Sequence, residues 1–281
     1  MIEVWFFFAI LGGIASGIYN FLIRYALKDG DDSTVFAWLF EVIRFVIFGI
    51  VILFEILPAI TLFNAFVFLL LGIVEFASIY VFMKMHSYSH LSISSIIIRL
   101  RLLWTPILAF FILGEILHAR EYIGILVLLV GIIIAAAPHK LLYDKGMRYA
   151  YVFSFVVAPL VIVIKVASDI FSPAMIMFAM SAPSVFILPF LMSTKRSFII
   201  EIKENIVVKI GASLLNAGSF YLYIIALSLG SVSIVQAVYQ GMMILPVLAG
   251  IILLKERENV ARKLFGTVIT ICGIILIAFF K

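Results

Sequence analysis

The chain has 281 residues, of which 65% are apolar or aromatic and only 12% charged, about half the charged share of an ordinary soluble domain. So few polar side chains cannot cover a folded surface in water, which excludes a soluble globular protein and leaves lipid as the solvent. The formal charge of +5 is scattered over short loops, as orientation signals are, and does not point to nucleic acid.

A helix needs about 20 mostly apolar residues to cross the hydrocarbon core. Ten runs meet that need, near 4–27, 34–56, 62–84, 89–113, 119–137, 147–168, 173–194, 206–228, 231–254 and 261–280. Helices satisfy their own backbone hydrogen bonds, and the alternation of a membrane β-barrel is missing, so the expected class is an all-α integral membrane protein. The start of the chain lacks a basic segment followed by a small-residue cleavage site, so no cleaved leader is expected.

Polar residues inside such spans are costly, about 2.5–3.5 kcal/mol for a charge at mid-bilayer, and they are the candidates for function. In span 1, Ser16, Asn20 and Arg24 follow at i, i+4 and i+8 on one face. Arg24 is near the span's end, where it can snorkel to the headgroups or reach the cavity. Gly13 and Gly17 form a small-residue packing pair. Span 2 carries Glu41 and Arg44, three apart and able to pair directly as a structural ion pair. Span 3 places Glu75 and Ser78 on one face. Glu75 has three readings: partner of an arginine, ligand for an amine, or carrier of a coupling proton, since an apolar setting makes a carboxyl hold its proton more tightly.

Span 4 contains "SISSIIIRLRLLWTP" at 92–106, with two arginines and no neighbouring acid. Arg99 and Arg101 point about 200° apart on a helix and cannot share a role. Ser92, Ser95 and Arg99 form one polar face, which assigns Arg99 to a cavity. Arg101 is then expected to pair with Glu75 or Glu41 on a neighbouring helix. Glu115 and Glu256 stand in turns before a helix, where an acid suits the positive N-terminal end. Gly124, Gly131, Gly266 and Gly273 give spans 5 and 10 small-residue faces suited to scaffold or dimer contacts. Cys272 is read as packing, and His86 and His90 lack partners at metal-ligand spacing, so neither a metal nor a cofactor is expected.

The second half repeats the first. "EFASIYVFMKMHSYSHLSIS" (75–94) aligns with "NAGSFYLYIIALSLGSVSIV" (216–235) at a constant offset of 141, which puts Glu75 on Asn216 and Tyr80 on Tyr221. Arg99 falls on Gln240, Arg101 on Met242, and Arg24 on Lys165. Ser233, Gln236 and Gln240 thus repeat the polar face of span 4, and Asn216, Ser219 and Tyr223 that of span 3. Tyr80, Tyr221, Tyr223 and Tyr239 are the tyrosines whose hydroxyls are placed to reach a cavity. The linker "PHKLLYDKGMR" (138–148) divides a first repeat, 1–140, from a second, 141–281. Five spans per repeat, an odd number, require the second to enter the membrane upside down, so the expected architecture is two inverted five-helix repeats around a central cavity. Lys28, Lys84, Lys140, Lys195 and Lys255 lie on one side with most other basic residues, which predicts both termini outside the cytoplasm of a multi-pass plasma-membrane protein.

"FEVIRFVIFGIVIL" in span 2, the Tyr-then-Ser segments, and "LGE…YIG…VGIII" with "LKERE…LFG…CGIIL" closing the halves resemble the drug/metabolite transporter superfamily in its EamA-like form. The resemblance spans nearly the whole chain, with Pro106 and Pro246 standing about a turn later than that family's proline. It implies a transporter of small metabolites, often outward, with its site in a central cavity. The residues expected to bind solute are Arg99, Asn20, Glu75, Tyr80, Ser95, Asn216, Tyr223, Gln236, Tyr239 and Gln240. A net cationic lining favours a carboxylate or phosphate, with an amino acid as first candidate. Partners are then the solute and the bilayer, and the chain is a monomer or homodimer. One alternative is a flippase for a lipid-linked or apolar compound. Another is a lipid-modifying membrane enzyme, for which the one acidic cluster, "DGDD" at 29–32, has no counterpart in the second half.

Overall fold

The computed structural model describes residues 3–27, 32–59, 61–88, 97–136, 145–192, 203–242 and 260–279. Most of these residues are helical, with no strand among them. The helices are α1 (Val4–Leu27), α2 (Ser33–Ile52), α3 (Leu62–Tyr88), α4 (Arg101–Leu108), α5 (Ala119–Ala136), α6 (Lys145–Ser168), α7 (Pro173–Leu191), α8 (Ile206–Leu229), α9 (Val232–Gly241) and α10 (Val260–Phe279). Seven of them, all but α4, α5 and α9, are long and apolar enough over their described residues to cross a membrane.

Local chemistry sets several ends. The Asp32 carboxylate accepts the Thr34 N–H at 2.7 Å and starts α2. Ser172 accepts the Met175 N–H at 3.2 Å, and Pro173 at the first helical position starts α7. The expected second span ran to residue 56, but α2 stops at Ile52 and tightens into a turn, with Phe54 N–H on Val51 O and Glu55 N–H on Ile52 O, both 3.1 Å. Pro58 shortly afterwards bars further helix. Span 4 is not one regular helix over its described part. A 3-10 turn, Ile98–Leu100, leads into α4, and a π turn, Ala109–Leu113, follows it. Pro106 inside α4 removes one ladder donor, and Gly114, with φ 66°, closes the element.

The helices pair across the two halves: α5 with α10, α1 with α8, α3 with α6 and α2 with α7. Lesser contacts join α3 to α7, α8 to α2, α1 to α9, α4 to α6 and α4 to α9. Exchanging each helix for its counterpart in the other half returns the same set of pairs. In the α2–α7 pair the chains run oppositely. Trp38 of α2 donates to Val185 O of α7 at 3.0 Å, while Phe45 further along stacks on Phe178 at 4.6 Å. On α5 and α10 the glycines meet, and a Cβ on Gly131 would come within 2.4 Å of Thr270 N, and one on Gly273 within 2.5 Å of Leu128 N. The expected small-residue faces of spans 5 and 10 are therefore spent on each other inside one chain. Large apolar side chains such as Phe111, Phe155, Phe186 and Phe190 face outward, which suits acyl chains and not water.

Candidate functional site

A cavity of about 60 Å³, open to water-sized molecules, lies between the halves. That is room for a few waters, each needing roughly 10–15 Å³ on this measure. Its wall is assembled from repeat-equivalent positions. Ser16, Tyr19 and Asn20 of α1 face it, and so do Val157, Leu160 and Val161 of α6, each 141 residues later. Glu75, Ile79 and Phe82 of α3 are matched by Asn216, Phe220 and Tyr223 of α8. The positions repeat but their chemistry does not. The α6 wall is wholly apolar, with Phe153 and Ile164 extending it, while α1, α8 and α9 supply hydroxyls and amides.

One ionic cluster borders this space. Arg44 Nη1 lies 2.8 Å from Glu41 Oε1 and 2.7 Å from Glu75 Oε1. Its Nη2 is 3.6 Å from Met177 Sδ, and its guanidinium stands over the Phe220 ring at 5.2 Å. On the polar wall, Ser219 donates to Gly12 O at 2.7 Å and so accepts from Tyr239, whose hydroxyl is 2.8 Å away. The Tyr223 hydroxyl donates to Gln236 Oε1. Gln236 Nε2 and Asn216 Oδ1 are left buried without a partner among the described residues. Both are amide atoms that a bound molecule can engage.

The arginines of span 4 are placed opposite to expectation. Arg101 is part of the cavity wall and makes no ion pair among the described residues; its guanidinium lies over the Phe153 ring at 5.8 Å. Arg99 is absent from the wall and donates through Nη1 to Gln240 Oε1. The reason is geometric. Arg99 and Gln240 are repeat equivalents that meet each other where α4 and α9 approach, with the glutamine in front. The lining face of span 4 then runs from Ile98 to Arg101, three residues on. The acids expected to hold Arg101 are both engaged by Arg44.

Asn20, Glu75, Asn216, Tyr223, Gln236, Tyr239 and Gln240 are all brought to the cavity. Tyr80 is not, because it lies about 140° around α3 from Glu75, where Lys84 covers its ring at 5.7 Å. Ser95 and Ser92 lie outside the described residues, as do Pro246, Glu256 and the Arg24 side chain. Lys165 does not reach the cavity; its ammonium donates to Leu227 O at 2.7 Å and Gly230 O at 3.3 Å, the free carbonyls where α8 ends. Glu115 serves α9 and not the helix that follows it in sequence, accepting from Val232 and Ser233 N–H at 2.9 and 3.1 Å. The α6 wall and Tyr19 escaped sequence reading. Carrying Ser16 and Asn20 forward by the 141-residue offset would have found Val157 and Val161, but apolar residues in an apolar span raise no signal of their own.

Comparison with known proteins places these features. A solved crystal structure of another protein superposes with a TM-score of 0.71 over 97% of this chain and 94% of its own, at 13% identity, which shows a shared fold. No curated protein matches the sequence. The profile of the EamA-like transporter family matches twice, at residues 3–137 and again at 144–279. The chain therefore belongs to the EamA-like transporter family, and it is a multi-pass membrane transporter of the drug/metabolite transporter superfamily.

Proposed function

We propose that the protein is a secondary transporter for a small carboxylate-bearing metabolite, in the first place an amino acid with an apolar side chain, working by alternating access. Ten spans in two inverted five-helix repeats form the machine. The antiparallel run of equivalent helices, α2 against α7 and α5 against α10, supports the inversion. The exchangeable contact set supports a two-fold relation between the halves, the arrangement on which rocking about a midplane site depends.

Arg101 carries the reading. A guanidinium that lines a cavity in an apolar bundle, with no acid among the described residues to pair with it, is an anchor for an anion. Glu75 and the free Asn216 Oδ1 stand at equivalent places in the two halves and accept an ammonium. The α6 wall of Phe153, Val157, Leu160, Val161 and Ile164 receives an apolar side chain.

The test is a thermal-shift screen of the purified protein against amino acids, organic acids, sugars and nucleosides, followed by Arg101→Gln. Losing a charge-assisted hydrogen bond of about 1.5–3 kcal/mol weakens the true solute by about ten- to a hundredfold. A solute whose binding survives Arg101→Gln ends this assignment. Saturable movement only of lipid-linked compounds, extracted from the bilayer, would replace it with the flippase reading.

A further inference from the structure

Gln236 and Gln240 stand four residues apart on α9, share a face, and both belong to the cavity wall. A primary amide has two unlike ends, a carbonyl that accepts and an NH2 that donates. Which end meets a solute therefore depends on what holds the other.

Behind Gln240 stands Arg99, 2% exposed and absent from the wall. A guanidinium carries donors only, so the amide atom against its Nη1 has to be the oxygen, Gln240 Oε1. Arg99 makes no ion pair among the described residues, and no acid there draws it off this contact. The repeat explains the fit. Arg99 and Gln240 are equivalent at the 141-residue offset. Two arginines meeting there would repel, and two glutamines could pair either way round, whereas one of each pairs in a single sense. Gln236 is held in the same way. The Tyr223 hydroxyl donates to its Oε1, and its Nε2 is buried without a partner among the described residues.

Both glutamines thus keep their oxygens behind and turn their NH2 groups forward. With Arg101 they give the α4–α9 side of the cavity three donating groups. The acceptors Glu75 and Asn216 Oδ1 stand on α3 and α8. We propose that Arg99 and Tyr223 are positioning residues that lock the two glutamines in this sense, and that the donor side so made selects a carboxylate over its neutral amide. A carboxylate accepts from all three groups. A carboxamide brings its own NH2, which meets donors and is left unpaired away from water. An unlocked glutamine would turn over and serve it. The selection rests on the carboxylate reading above, whereas the lock rests on the Arg99–Gln240 contact alone.

Two measurements separate them. The lock is tested without solute, by melting. Gln240→Glu sets a carboxylate against Arg99 and is expected to melt no lower than wild type. In an Arg99→Met background the same change buries an unpaired acid and lowers the melting temperature. Equal effects of Gln240→Glu in the two backgrounds overturn the lock. Arg99→Gln, which offers either amide end, serves as the background if Arg99→Met does not fold.

Selection is tested by calorimetry with leucine and leucinamide, in slightly acid buffer where both carry an ammonium. Wild type is expected to bind leucine about ten- to a hundredfold more tightly than leucinamide. Arg99→Met narrows that ratio chiefly by strengthening leucinamide, a gain that loosened packing does not produce. Tyr223→Phe, which releases Gln236, narrows it too. Arg99→Lys keeps a donor on the oxygen and holds the wild-type ratio. Equal weakening of both probes by Arg99→Met overturns the positioning role, and a wild type that binds the two alike overturns the selection. If neither probe binds wild type, the amino-acid reading falls, and the melting comparison still decides the lock.

Discussion

Arg44 is the residue on which most of the buried electrostatics turns, because it answers two carboxylates at 2.8 and 2.7 Å. Removing one member of a buried ion pair strands its partner, at a cost of about 3–5 kcal/mol. Arg44→Met is therefore expected to lower thermal stability far more than Arg101→Met, which strands no acid among the described residues. Melting of both variants in the same detergent checks the order; equal losses would mean that Arg101 also holds a structural partner. Arg101 and Arg99 also mark where residue-level reading fails. Their separation by about 200° was legible, but which one fronts the cavity depended on the 3-10 turn at Ile98–Leu100 and on Arg99 finding its own repeat counterpart, Gln240. Helix periodicity assumes an unbroken α-helix and cannot foresee either.

At the scale of elements, the α5–α10 pair is the firmest contact between the halves. Gly131 and Gly266 face each other so closely that a Cβ on Gly266 would lie 2.4 Å from Ala135 N. Backbone at that distance cannot give way as a flexible side chain can. Gly266→Val is expected to cost about 1–3 kcal/mol or more by overpacking, read as a lower melting temperature. Gly218→Val, at a glycine with nothing within 4 Å of its added Cβ, changes little at the level of packing. The turn between α8 and α9 is held from both sides, by Lys165 on the carbonyls that end α8 and by Glu115 on the N–H groups that begin α9. Acid at an N-terminus and base at a C-terminus both complement the helix dipole. Glu115→Ala is expected to cost about 1–2 kcal/mol, in the range of a lost N-cap. No change in melting would make this clamp incidental. That an acid belongs near a helix start was readable at Glu115; that the start belongs to α9, over a hundred residues away, was not.

For the whole molecule, the pairing of α1 with α8, α3 with α6, α2 with α7 and α5 with α10 interlocks the repeats. The main helix contacts of the described residues run between the halves, and the cavity lies where the two meet. Separately expressed halves are thus expected to be unstable alone and to recover a folded complex when co-expressed, as size-exclusion chromatography would reveal. A stable, monodisperse first half by itself would contradict this. The uneven distribution of lysine and arginine among the loops leads to a further expectation, that a reporter fused after Lys281 lies outside the cytoplasm. Cytoplasmic activity of that reporter would reverse the proposed orientation.

Composition, apolar run length and the 141-residue repeat determined by themselves that this chain is a helical membrane protein built twice from one plan, because lipid leaves the backbone few choices and tolerates few polar side chains. Those few polar residues were also conspicuous enough in sequence to be singled out, from Asn20 to Gln240. Only the tertiary structure decided which of them share a space, since that depends on how helices distant in sequence are rotated against one another. It set Arg101 on the cavity wall in place of Arg99, gave both acids to Arg44, and made the opposite wall from α6, whose apolar side chains look in sequence like any others that face lipid.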